Sequence, residues 1–285
     1  MDRVAVDLKS YIGRKVEADD VADLRSMRQL HAALDRSDAL PRDGDEVPPS
    51  WHWMWFNATD RHSALGRDGI AGSKGGYMPP SPLPRRMWAG SQLSVHRPLR
   101  VGEKIRRTAE IVSAEERQGK SGTLVFVGQR FSIHAGNELA IEEDFQSVFR
   151  EDPKPGAAAV EPPPVPEGAQ WTRVINPDPV LLFRYSAVTY NGHRIHYDRP
   201  YTTGVEGYPD LVVHGPLTAT LLMELARDSN PGKRIARYGF RAVSPLYSPA
   251  KFTIAGKPNA DGSSATFWAV NPQGRLAMQA DVQLI

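Results

Sequence analysis

Val212-Val213-His214-Gly215-Pro216-Leu217-Thr218 opens the stretch that decides the fold. A Gly and then a Pro stand where a helix begins, and Pro suits a first turn, where its missing N–H is not needed. From Gly215 to about Ser229, Leu217, Thr220, Leu221, Met223, Glu224 and Leu225 leave almost no polar side. A helix apolar nearly all round is a buried helix. Leu211–Val213 is its short apolar lead-in. Beyond it the spacing predicts strands at Ile235–Ala242, Ala250–Lys257, Ser264–Val270 and Leu276–Leu284. One buried helix followed by consecutive antiparallel strands describes a sheet wrapped around a helix, in the α+β class.

Upstream of this helix the pattern predicts a strand at Trp171–Ile175, a short helix at Pro179–Tyr185 and then a polar run to Asp198. Residues 152–169 are rich in Pro and Ala and poor in bulky apolar groups, so they read as an extended linker. They divide the chain into residues 1–151 and 170–285. In the first part, Ala22, Leu24, Met27, Leu30 and Leu34 recur at helical spacing, and residues 1 to about 37 are expected to be helical. Trp51, Trp53 and Trp55 alternate as in a strand, within an aromatic knot ending at Phe56. Strands are expected at Ser91–Val95, Lys104–Ser113, Gly122–His134 and Leu139–Phe149, the run Thr123–Val127 being apolar throughout. His134-Ala135-Gly136-Asn137 reads as a hairpin turn. Both parts end in a run of strands, which points to a duplicated unit whose first copy has drifted.

The 285 residues, 40% hydrophobic, suffice for one large or two ordinary domains with a real core. No apolar run of about eighteen residues suggests a membrane span, and the N-terminus has no apolar signal region. The chain has no cysteine, which excludes disulfides and thiolate chemistry and suits the cytoplasm. A net charge of +2 calls for neither nucleic acid nor an anionic membrane as partner.

The chemistry concentrates in two runs. Ser186-Ala187-Val188-Thr189-Tyr190-Asn191-Gly192-His193-Arg194-Ile195-His196-Tyr197-Asp198 is the first, and Val212–Thr218 is the second. They hold three of the chain's eight histidines. Imidazoles beside an amide and a carboxylate suit proton transfer near neutral pH. A helix N-terminus at Gly215 offers outward-facing N–H groups to a developing oxyanion. Each residue also has a plainer reading. His196 would be a hydrogen-bonded loop histidine, His193 a packing residue, His214 a brace for the turn, Asn191 a turn cap, and Asp198 and Arg199 a surface pair. His193 and His196 stand three apart, but no clear third ligand accompanies them, so no metal is expected.

These motifs resemble the hydratase signature of the MaoC-like (R)-specific enoyl-CoA hydratases and their dehydratase relatives. The family's His falls on His196, its Asn position on His193 and its Asp position on Asn191, with His214-Gly215 at the start of the central helix. The variant is similar to the branch of mesaconyl- and itaconyl-CoA hydratases and mitochondrial-type 3-hydroxyacyl thioester dehydratases. Pro48-Pro49-Ser50-Trp51-His52-Trp53, Asp68-Gly69 and Pro82-Leu83-Pro84-Arg85-Arg86-Met87-Trp88-Ala89-Gly90 fit that branch too. The resemblance implies a double hot-dog fold, with a degenerate first half on the acyl-tunnel side and a catalytic second half. It implies reversible addition of water to an α,β-unsaturated acyl-CoA, with no cofactor and CoA as part of the substrate. His196 is then the base, Gly215 the oxyanion donor, and Asn191 and His193 its helpers. Tyr190, Asp198, Arg199, His214 and Arg241 are expected to bind substrate, Asp198 by fixing a histidine tautomer.

The departure at Asn191 matters, because an amide cannot usefully accept a proton. Arg85, Arg86, Arg184, Arg194, Arg199 and Arg241 flank the motifs and suit a carboxylate or the CoA phosphates. A short dicarboxylic thioester such as mesaconyl-C4-CoA or itaconyl-CoA is the favoured substrate, and a 3-hydroxyacyl group on an acyl-carrier protein the alternative. A thioesterase using Glu224, or a non-catalytic acyl-CoA-binding module, would be the other classes. The exposed edges of two sheets make a homodimer plausible.

Overall fold

The computed structural model describes residues 7–71, 76–80, 83–119, 122–152 and 161–285. Ten strands run β1 (Lys15–Val21), β2 (Arg85–Val95), β3 (Lys104–Gly119), β4 (Gly122–Ala135), β5 (Glu138–Arg150), β6 (Trp171–Ile175), β7 (Ile235–Ala242), β8 (Phe252–Pro258), β9 (Ser264–Val270) and β10 (Leu276–Leu284). The helices are α1 (Leu24–Ala33), α2 (Pro179–Val188), α3 (Arg199–Gly204) and α4 (Gly215–Ser229).

The strands form one continuous sheet, in the order β1-β3-β4-β5-β2-β7-β10-β9-β8-β6. Read from each edge inward, the first five and the last five follow the same order. The duplication is therefore visible in topology, and this is the double hot-dog arrangement. The join is antiparallel pairing of β2 with β7 over Gly90↔Arg241 to Ser94↔Arg237. Gly90 is required there, since a Cβ would lie 2.4 Å from the Phe240 carbonyl oxygen.

α4 is the helix inside the second half. Leu217 through Ala226 are all buried, and the Tyr238 hydroxyl donates to the Ala219 carbonyl at 2.7 Å. Three other helices start on aspartates whose side chains accept a backbone N–H, Asp23 for α1, Asp178 for α2 and Asp198 for α3. Across the two halves, Glu224 of α4 accepts from Trp51 Nε1 at 2.9 Å and pairs with Arg36 and Arg227. Its carboxylate is fully committed, and it is absent from the cavity wall described below.

Two expectations are corrected. The first 37 residues are not one helix. Lys15–Val21 alternates and pairs with β3, and only Leu24–Ala33 is helical, burying Met27, Leu30, His31 and Ala33. Gly13, at φ +85°, turns the chain into that strand. The tryptophan run is not a strand either. Trp51–Met54 is a 3-10 turn entered through Ser50 at φ +73°, and three indoles reach three different acids. Residues 1–6 and 153–160, which carry the N-terminal reading and part of the expected linker, lie outside the described residues, as does Pro82.

Candidate functional site

A cavity of about 680 Å³ lies where the halves meet, lined by Trp53, Trp88, Phe131 and Phe145 from the first half and by His193, His196 and Gly215 from the second. Its first-half wall is an aromatic cluster, with Trp88 stacked on Phe145 at 4.7 Å and edge-on to Trp53 at 4.9 Å. Trp53, Trp55 and Phe56 line it, the last two from within the core to which Trp51 and Met54 also belong.

Below Tyr190, whose φ is +49°, Asn191 Oδ1 accepts the His193 N–H at 3.0 Å and closes a tight polar turn. A 3-10 turn, Arg194–His196, then brings His196 inward. His196 is buried, and its Nδ1 lies 2.7 Å from the Val212 carbonyl oxygen. A carbonyl can only accept, so Nδ1 carries the hydrogen and Nε2 keeps a free lone pair. Burial, and then the nearby His193, push the His196 pKa down to about 3, against the opposing pull of the Val212 carbonyl. The imidazole is therefore neutral throughout the physiological range, with the Nε2 lone pair open to a proton donor.

His214 stacks flat on His196, 3.6 Å between ring centroids. Its Nε2 meets the Ser186 hydroxyl at 2.8 Å, and it is wholly buried. It stands behind His196 and does not line the cavity. Burial, with His196 and His193 beside it, holds its pKa well below the usual imidazole range. His193 stands edge-on to His196 at 5.4 Å. Burial lowers its pKa, Asp68 and Glu206 oppose this, and Arg86 and Arg85 reinforce it.

Gly215 heads α4 on the cavity wall, and a Cβ built there would meet nothing within 4 Å. The open space faces the end of a fifteen-residue helix, where free N–H groups and the helix dipole favour negative charge. Asn191, His193, His196 and Gly215 thus come together at one end of one cavity. Tyr190 lines it from a largely exposed position.

Besides His214, three more of the expected substrate-binding residues are placed outside the cavity wall. Asp198 caps α3 through the Tyr201 N–H and pairs with Arg194 at 2.7 Å. The histidine tautomer is set by Val212 instead. Arg199 pairs with Asp210 at 2.9 Å outside the cavity. Arg241 sits on an exposed stretch of β7, also outside it. Among the flanking arginines, Arg184 is exposed and Arg85 is bound by Glu206 at 2.7 Å. Arg86 faces the cavity with its guanidinium 5.7 Å from the Phe149 ring centre, and no carboxylate pairs with it among the described residues. Burial lowers its pKa, opposed by Asp68.

The cavity holds groups that the sequence reading did not assign to the site. Asp68 of the first half lies on its wall, with Oδ2 4.0 Å from His193 Nε2. Glu143, deeply buried, accepts from Trp53 Nε1 at 3.1 Å, lies 3.1 Å from His52 Nε2 and binds the Ser91 hydroxyl. The Asp68-Gly69 pair was visible in the sequence only as part of a motif. Glu143 shares the inward face of β5 with Ile141, Phe145 and Phe149, so period-two spacing was the signal that could have found it.

A sequence profile of the hydroxyacyl-thioester dehydratase type 2 family matches residues 50–248. The chain is 42% identical to the mesaconyl-C(4)-CoA hydratase of Chloroflexus aurantiacus, over 98% of this chain and 99% of that one. It is 28% identical to the mitochondrial hydroxyacyl-thioester dehydratase type 2 of Schizosaccharomyces pombe, over 75% of this chain and 79% of that one. In fold it matches a double-hotdog protein of Mycobacterium tuberculosis with a TM-score of 0.59 at 15% identity, covering 96% of each chain. The chain belongs to the hydroxyacyl-thioester dehydratase type 2 family.

Proposed function

We propose that the protein hydrates and dehydrates acyl-CoA thioesters at the His196–Gly215 end of this cavity. The observation that carries the reading is a neutral, buried imidazole with its free Nε2 beside an uncovered helix N-terminus. In the hydration direction the water oxygen bonds to Cβ of the enoyl group while His196 Nε2 takes one water proton. The Cα–Cβ π electrons pass toward the thioester oxygen, which accepts the Gly215 N–H. The imidazolium then returns its proton to Cα, so the product has gained one water and the enzyme is unchanged. His214 supports this by stacking on His196 and fixing its plane.

A short dicarboxylic enoyl-CoA, of the mesaconyl-C4 kind that the Chloroflexus relative is named for, fits the unpaired Arg86 on the cavity wall. A guanidinium withdrawn from water gains most from a carboxylate that binds it bidentately. The thioesterase alternative lacks support, since Glu224 is tied to Arg36, Arg227 and Trp51. A homodimer remains part of the proposal. It would use a sheet edge, of which the structure has two, β1 and β6. Neutral surroundings suit the chemistry, and no described helix is long and apolar enough to cross a membrane.

The test is loss of enoyl-thioester absorbance with mesaconyl-C4-CoA, itaconyl-CoA and crotonyl-CoA, alongside release of free CoA. Loss of absorbance without CoA release supports the hydratase reading. CoA release, or no turnover of any of the three, contradicts it.

A further inference from the structure

The hydratase signature places a carboxylate where this chain has Asn191. That amide is occupied by the His193 N–H and cannot take charge. The fold brings a different carboxylate to the same loop. The segment around Asp68, in the first half, docks backbone to backbone on the loop Asn191–Arg194. The Arg194 N–H donates to the Asp68 carbonyl at 2.8 Å, and the Arg194 side chain donates to the Arg67 carbonyl at 2.9 Å. At Gly69, φ +85°, a Cβ would lie 2.2 Å from the Gly192 carbonyl oxygen, so the approach depends on glycine.

This docking fixes the Asp68 side chain. Oδ1 accepts the Ile70 N–H at 3.1 Å. Oδ2 points toward His193 Nε2 at 4.0 Å, with no hydrogen-bond donor among the described residues. Both side chains are largely buried, and both line the cavity beside His196. A separation of 4.0 Å is too long for a direct hydrogen bond. It leaves room for one water oxygen about 2.8 Å from each group.

We propose that Asp68 is a catalytic residue, the carboxylate that with His193 holds the attacking water, supplied by the other half of the chain. The inference rests on the hydratase reading of the site. In the step, one water hydrogen goes to His196 Nε2 as oxygen bonds to Cβ. The other stays on oxygen, donates to Asp68 Oδ2 and becomes the product hydroxyl hydrogen. Asp68 is unprotonated before and after. A fixed acceptor there orients the water lone pair at Cβ and stabilises the positive charge that gathers on the imidazoles. The charged and titratable groups around His193 are Asp68, Glu206, Arg85, Arg86, His196 and, behind His196, His214.

Asp68→Asn keeps the Oδ1 acceptor for Ile70 and removes only the charge. The experiment compares wild type, Asp68→Asn, Asn191→Asp and the double variant. For each it measures turnover of mesaconyl-C4-CoA against pH, affinity for CoA by calorimetry, and melting temperature. We expect Asp68→Asn to lower kcat on the order of 100-fold, with CoA affinity and melting temperature unchanged. The His193-dependent part of its pH profile moves to lower pH, because the neighbouring anion that favours the imidazolium is gone. Asn191→Asp in that background restores at least tenfold, by returning a carboxylate to the signature position. Asp68→Asn with kcat within threefold of wild type overturns the proposal. So does a loss that tracks the melting temperature and that Asn191→Asp does not rescue. Absence of turnover by wild type itself counts instead against the hydratase reading on which the proposal stands.

Discussion

At the scale of the residue, the site depends on which nitrogen of His196 is free. The Val212 carbonyl engages Nδ1, so a substitution that keeps a donor there and removes the base should separate structure from chemistry. His196→Asn, whose amide nitrogen falls where Nδ1 stood, is expected to fold and to bind CoA while kcat drops by roughly 100- to 10,000-fold. Turnover assays with a binding measurement check it. Arg86 has the opposite signature. Arg86→Gln should reduce turnover of mesaconyl-C4-CoA at least tenfold more than that of crotonyl-CoA, which has no free carboxylate to lose. Equal losses on both substrates would deny Arg86 the carboxylate.

Histidines on these loops also tie stability to pH. His196 and His214 are both held neutral by burial. An unfolded chain binds their protons at about pH 6.5, and the folded one does not until far lower. The folded state is therefore penalised as pH falls below about 6.5, by up to about 1.4 kcal/mol per pH unit for each histidine. Melting temperatures measured from pH 7.5 down to 5 should fall, and His214→Phe should flatten that fall.

At the scale of the element, α4 does two things with one sequence. Its body fills the second half, and its first residue faces the cavity. Gly215→Ala places a methyl where nothing stands within 4 Å, so the fold should tolerate it or gain a few tenths of a kcal/mol. The same methyl occupies the thioester's approach, and kcat/KM should fall at least tenfold. A calorimetric melt and steady-state kinetics on one preparation check both halves of that expectation.

Elements were also where sequence and structure agreed most closely. Leu276–Leu284 was legible because Gln279, Asp281 and Gln283 alternate with buried apolar residues, and Ile235–Ala242 and Ser264–Val270 because each is a short run rich in aromatic and apolar residues between turn signals. β1 was missed because Val16, Ala18 and the acids beside them form an edge strand with little buried surface, adjoining a genuine helical pattern. The tryptophan turn was misread because period-two spacing over five residues fits a strand as well as a turn. Indole N–H bonds to Glu224, Glu143 and Asp23, distant in sequence, decide it.

At the scale of the whole molecule, the two halves share one sheet and are expected to unfold together. The sheet passes from β2 to β7 without a break, and Glu224 binds Arg36 and Trp51 across the same seam. Removing one partner of a buried ion pair costs about 3–5 kcal/mol. Glu224→Ala should therefore lower stability by about that amount, in a single unfolding transition monitored by both tryptophan fluorescence and circular dichroism. Two separated transitions would show that the halves fold apart.

The same scale explains what the sequence could and could not disclose about the site. Asn191, His193, His196 and Gly215 lie within twenty-five residues of one another, so their motif is readable along the chain. Asp68 and Arg86 reach the site only through the pairing of the halves, and no local pattern places them there. Asp198 and Arg199 were misplaced for the converse reason. They are close to the motif in sequence, yet α3 turns them outward to a helix cap and a surface pair.

The most direct measurement is hydration of mesaconyl-C4-CoA by wild type and by His196→Asn, under identical conditions, with CoA affinity measured for both. Turnover by wild type, lost by at least 100-fold in the variant at unchanged affinity, is the result predicted here. A variant that turns over like wild type would contradict the assignment of His196 as the base.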